Sequence, residues 1–152
     1  MTESAREKVV VNKAEGVVKG FWPTDSYRNA EQVVLRPDVG LPESLVLRQP
    51  SGEALNVALH GAKAVFFVRE FDGQRDRKDI RFHQHSPTNN AVWVRVEFHD
   101  GEELEGFIHN SVSHLSDDGF FLLPSDPGSN NRLVYVLKSA LASFCVLGVR
   151  SL

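Results

Sequence analysis

Leu55–Val68 reads LNVALHGAKAVFFV, and Leu133–Val146 reads LVYVLKSALASFCV. Laid over one another without gaps, they share Leu55/Leu133, Leu59/Leu137, Ala62/Ala140, Ala64/Ala142, Phe66/Phe144 and Val68/Val146. Average residue usage gives about one identity over such a stretch. The chain therefore carries an internal repeat, and a repeat constrains the fold before any local propensity does.

Working outward, the same order recurs upstream. VVLRP (Val33–Pro37) aligns with FFLLP (Phe120–Pro124), each an apolar run closed by proline. Before these, VVVNKAEGVVKGFW (Val9–Trp22) aligns with VRVEFHDGEELEGFI (Val94–Ile108). Both copies have an early turn glycine (Gly16, Gly101). Both also have a second glycine (Gly20, Gly106) before an aromatic (Phe21, Phe107).

The local pattern is that of strands. Val94, Val96 and Phe98 alternate with Arg95 and Glu97, the period of a half-buried strand. Asp100-Gly101 is tight-turn chemistry, and Glu102–Ile108 is the return strand. Gly106 inside that strand predicts a bulge or sharp bend, as a short strand needs in order to curl. Phe120–Leu123 reads as a strand covered on both faces. Two more strands, Leu133–Leu137 and Ala142–Leu147, follow across a turn at Lys138-Ser139.

In the first copy VVLRP takes the third-strand place, and Asp38–Gly52 is then an enlarged loop. No stretch sustains a helical period. The expectation is an all-β chain of two tandem small five-stranded barrels. The units are 8–70 and 91–149, joined by a polar linker at 71–90.

At 152 residues, each half is marginal alone and is expected to lean on the other or on a second chain. The net charge of −3 argues against bulk attraction to nucleic acid. The basic residues of Arg69–Arg81 are interleaved with acids. A single cysteine, Cys145, excludes an intramolecular disulfide. Its place between Phe144 and Val146 predicts a core position. Met1–Lys8 is polar and lacks the apolar stretch of a secretory signal, and no run is long enough to span a bilayer. The expected compartment is the cytoplasm, with no membrane association.

The strand order, the Asp-Gly turn and the glycine-bearing second strand resemble the Sm-like barrel, a relative of SH3-like barrels. LHGAKAVFFV (Leu59–Val68) is similar to the second Sm motif, with His60 where that motif has arginine. In the second copy Lys138-Ser139 replaces Arg-Gly. The resemblance implies single-stranded RNA binding around Asp38–Gly40 with His60-Gly61, and around Asp126–Asn131 with Lys138-Ser139. The whole arrangement, GFFLLPSDPGSNNR included, also resembles a family of uncharacterised bacterial proteins known only as a domain of unknown function. That family implies no activity.

Arg77 and Arg81, four apart, together with His114, Ser116 and Gly119 resemble the PilZ signature, which implies grip on cyclic di-GMP. Forked guanidinium groups suit phosphate and guanine alike. In PilZ an acidic or amide residue stands where this chain has His114.

Asp126, Asn130, Asn131 and Arg132 form the most polar loop. It serves either as turn chemistry or as a ligand-facing loop. His83 and His85 alternate in the linker, without the spacing of a zinc set. No Gly-x-Ser-x-Gly, Walker-type or dinucleotide glycine motif occurs. The sequence therefore predicts a non-catalytic binding module without cofactor or metal. It would engage a protein partner or a second copy of itself, with a nucleotide or RNA as the alternative.

Overall fold

In the computed structural model the described residues are 7–22, 30–34, 40–71, 91–111, 117–126 and 128–149. The linker residues 72–90, with Arg77 and Arg81, lie outside them, as do His114 and Ser116. No helix among the described residues is long and apolar enough to cross a membrane.

The chain is all-β apart from short helical turns. Strands β1 (Lys8–Lys13), β2 (Gly16–Phe21), β3 (Ser44–Arg48), β4 (Ala54–Ala58) and β5 (Ala64–Val68) form the first copy. Strands β6 (Ala91–Phe98), β7 (Glu103–His109), β8 (Gly119–Pro124), β9 (Asn131–Leu137) and β10 (Leu141–Val149) form the second. They make one open, antiparallel ten-stranded sheet in the order β10-β6-β7-β8-β9-β5-β1-β2-β3-β4. Each half repeats one pattern: the last strand pairs with the first, and the rest follow in chain order. The expected tandem units are thus halves of a single sheet, joined where β5 pairs with β9.

That seam organises the core. Val65 and Phe67 of β5, with Leu133, Tyr135 and Leu137 of β9, face one apolar cluster alongside Val9, Val11, Leu45 and Leu47. Ala64, Phe66 and Val68, with Val134 and Val136, face the other alongside Val94, Val96, Phe98, Phe120 and Leu122. Each half buries its own inner face, and the outer face of its neighbour's seam strand closes that core. Strands covered on both sides read as unbroken apolar runs, which is why AVFFV shows no alternation.

Three expectations need correction. The first concerns the third strand of the first copy. Val33-Val34 end a helical turn, α1 (Ala30–Val34), whose two valines cap the first cluster. The strand is instead SLVLR, inside the predicted loop at 38–52. Its Leu45 and Leu47 point inward while Ser44, Val46 and Arg48 point out.

The second concerns register. Val9 pairs with both Gly20 and Phe67, whereas Val94 pairs with both Gly106 and Val146. Phe67 is therefore the counterpart of Val146, and Val65 of Phe144, one residue away from the ungapped alignment. Slipping a strand by one residue turns every side chain to the other face. The identical pair Phe66/Phe144 accordingly lies on the outer face in one copy and the inner face in the other.

The third is Cys145, which is exposed rather than core, because β10 is an outermost strand.

Glycine placement repeats faithfully. β2 meets β3 and β7 meets β8 over very short ladders, Phe21↔Arg48 in one and Gly106↔Pro124 with Phe107↔Leu123 in the other. A Cβ on Gly20 would stand 2.9 Å from Leu47 Cβ, and one on Gly106 would stand 2.3 Å from the Leu123 carbonyl oxygen. Both glycines allow the next strand to approach closely, and at Gly106 the ladder with β6 runs in continuous register, without the bulge that the sequence suggests for it.

Candidate functional site

The predicted site residues that are described fall in two places. Gly119 opens β8 and pairs with Leu137. A side chain there would collide with the Val136 carbonyl oxygen at 2.5 Å and with the Tyr135 ring, so close strand packing accounts for this glycine. Asp126, Asn130, Asn131 and Arg132 lie at the other end of β9. The seven residues of that strand separate the two places by about 20 Å. Lys138-Ser139 sits with Gly119, in a 3-10 turn at Lys138–Ala140 whose first amide donates to the Asp118 carbonyl.

The polar loop is knitted into the seam. Asp126 is buried, and its carboxylate accepts from the Gly128 amide at 2.9 Å while its carbonyl accepts from the Ser129 amide at 3.0 Å. The Asn131 amide donates to Ser129 Oγ at 3.1 Å. Asn130 imitates a strand residue. Its side-chain oxygen accepts from the Glu70 amide at 3.0 Å, and its side-chain nitrogen donates to the Glu70 carbonyl at 3.1 Å. The Asn130 carbonyl accepts from the Arg69 amide at 2.9 Å. The Arg69 guanidinium donates to the Ser129 carbonyl at 3.0 Å. Arg132 forms an ion pair with buried Glu7, and burial lowers its guanidinium pKa. This end of the β5·β9 ladder is clamped by the loop that sequence alone offers as a ligand loop.

The other end has a clamp that the sequence does not single out. Lys63, just before β5, reaches across to the β6–β7 turn. There its ammonium donates to Asp100 Oδ2 at 2.8 Å and to Glu102, and lies 4.7 Å from the Phe98 ring centre. Burial works to lower the Lys63 pKa, but hydrogen bonds and charge from Asp100 and Glu102 outweigh it and hold the pKa above the usual lysine value. The Asp100 carboxyl is held below its usual range, chiefly by the Lys63 hydrogen bond and then by the Glu102 amide. Among the described residues no three His, Cys, Asp or Glu side chains converge as metal ligands would.

What the described surface does offer is a free edge. β10 runs nine residues at the end of the sheet, bonded on one side to β6 alone. Phe144, Val146 and Val149 are 45%, 52% and 59% exposed. Phe144 stands edge-on to Phe120 of the second cluster at 5.8 Å. At the far end β4 is the other outer strand, and its neighbour β3 exposes Val46. Four of the five large exposed hydrophobics among the described residues, all but Val17, lie at these two ends. A long apolar edge strand presents unpaired amides and carbonyls, a ready template for another strand.

No curated protein and no solved structure matches the chain. A protein-family model described as a family of unknown function (DUF6982) matches residues 5–148.

Proposed function

The chain belongs to this family of unknown function, DUF6982, and we propose that it is a non-catalytic interaction module that engages a protein partner by strand addition at β10. In this reading each half is a small Sm-like or SH3-like barrel unit. The support is the strand order, in which β5-β1-β2-β3-β4 recurs as β10-β6-β7-β8-β9. The module acts in the cytoplasm, where a lone exposed thiol such as Cys145 stays reduced.

One observation carries the proposal. Among the described residues, β10 combines an outer backbone edge without a second strand with exposed Phe144, Val146 and Val149. Strand addition draws affinity from main-chain hydrogen bonds and selectivity from alternate side chains, and this edge supplies both. The most polar described loop spends its hydrogen bonds on the seam, in line with a structural role there.

The test is a photo-crosslinking residue placed in cells at Ser143, exposed on β10, and separately at Val17, exposed on β2, which is not an outermost strand. Discrete protein adducts at position 143 and few at 17 are expected. Equal labelling at the two positions, or none at 143, overturns the proposal.

A further inference from the structure

We propose that the partner taken up at β10 is a second copy of this chain, joined through its β4 edge in the register of the internal seam. This inference rests on the strand-addition reading above and names its occupant.

The seam joins the last strand of one unit, β5, to the fourth strand of the other, β9. Among the described strands, two lack a second neighbour in the sheet order: β10, the last strand of its unit, and β4, the fourth strand of its own. They are the repeat counterparts of the two seam strands. The contact that holds the halves together can therefore be made again between molecules, head to tail, along Ser143–Val146, the stretch of β10 that lies between its two register irregularities.

The internal seam also shows what such a contact buries. Val65 and Phe67, on the inner face of β5, are covered by the outer face of the neighbouring unit at Phe121, Leu133 and Tyr135. Their counterparts on β10, Phe144 and Val146, are exposed. The same positions are core in one unit and surface in the other, and the difference is the missing fourth strand. The outer face of β4 and β3 supplies Ala54, Asn56 and Val46 at the positions equivalent to Leu133, Tyr135 and Phe121. Val46 is itself 53% exposed. It would be buried by the same contact as Phe144.

The register is determined. Along the seam Ala64 opposes Val136, Val65 opposes Tyr135 and Phe66 opposes Val134. Carried over, Ser143 opposes Val57 of the second copy, Phe144 opposes Asn56, and Cys145 opposes Leu55. Directly opposed residues of an antiparallel pair bring their Cα atoms to about 4.5–5.5 Å, inside the range a disulfide needs. A contact of this head-to-tail kind uses two different surfaces, so it propagates until it closes into a ring or continues as a filament.

The native thiol makes the test direct. Purified Leu55→Cys is oxidised gently and run without reductant beside wild type and Asn56→Cys, whose side chain points to the opposite face. Expected are covalent dimers and higher multimers in Leu55→Cys, at least tenfold above Asn56→Cys. Should Leu55→Cys compromise folding, Asn56→Cys with Phe144→Cys in a Cys145→Ser background probes the same register at two exposed, directly opposed positions.

Dimers in wild type and all variants alike would mean β10 pairing with β10, and would overturn the register. A disulfide within one chain, or no cross-link in Leu55→Cys or in the paired variant, would overturn self-association. Adducts at position 143 to other proteins in cells would in that case leave the strand-addition reading standing.

Discussion

Replacing Gly106 with alanine isolates the close approach of β8 to β7 in the second unit. Gly106 does not have a positive φ, so alanine brings no backbone strain and the cost is contact alone. The new methyl would stand 2.3 Å from the Leu123 carbonyl oxygen, 2.6 Å from Leu122 Cδ2 and 2.9 Å from the Leu123 carbonyl carbon. Two of those atoms are backbone, in a β7·β8 ladder of only two residue pairs, so relief by sliding would forfeit the pairing. Overpacking of this kind costs about 1–3 kcal/mol, and we expect about 2 kcal/mol. For a chain of this length that lowers Tm by about 4–8 °C.

Gly20→Ala is the internal control. Its closest contacts are the Leu47 Cβ at 2.9 Å and the Arg48 carbonyl oxygen at 3.2 Å, a milder clash, so about 1 kcal/mol, the low end of the overpacking range, is expected. Urea unfolding of the three proteins, followed by tryptophan fluorescence, reads both numbers. Gly106→Ala as stable as wild type, or less damaging than Gly20→Ala, would refute the reasoning.

Val134→Ala empties a fully buried position at the seam and should cost about 2 kcal/mol. Val146→Ala, half exposed on β10, should cost well under about 1 kcal/mol in dilute protein; equal losses in urea melts would contradict the seam. Asn130→Ala removes both side-chain bonds to the Glu70 backbone and should cost about 1 kcal/mol, again read by urea midpoint.

Lys63→Met tests the other clamp through pH. Asp100 has a lowered pKa when folded, so its contribution is present above the usual aspartate range and lost as pH falls through the folded value. Lys63 has a raised pKa, so its contribution is complete below the usual lysine value and lost as pH climbs through the folded one. The stability gap between wild type and Lys63→Met should thus be flat near neutrality and shrink at both extremes. A gap unchanged from acid to alkaline pH would contradict it.

Much of this architecture is legible in the residues. The alternation of Val94, Val96 and Phe98 places all three in the core, and Gly101 takes the positive φ that Asp-Gly announces. The repeat identifies the right counterparts for every strand except β3. It misphases them by one residue because AVFFV is apolar on both faces, and without alternation a one-residue slip costs nothing in similarity. SLVLR does alternate, yet it sits among prolines and polar residues, and the nearby VVLRP offers a closer literal match to FFLLP. Exposure at Cys145 depends on which strand stands beside β10, and no local pattern encodes that. The polar loop is ambiguous in sequence for a chemical reason: Asp, Asn and Arg suit a ligand and a strand clamp equally, and only the positions of Glu7, Arg69 and Glu70 decide between them.

Amide hydrogen exchange across Ala64–Val68, in protein diluted well below any self-association, is the most direct examination of the shared sheet. With β1 on one side and β9 on the other, every β5 amide should exchange only as slowly as global unfolding allows. Fast exchange at alternate β5 residues, matching the free side of β4, would mean that the halves are separate bodies and that the seam does not exist.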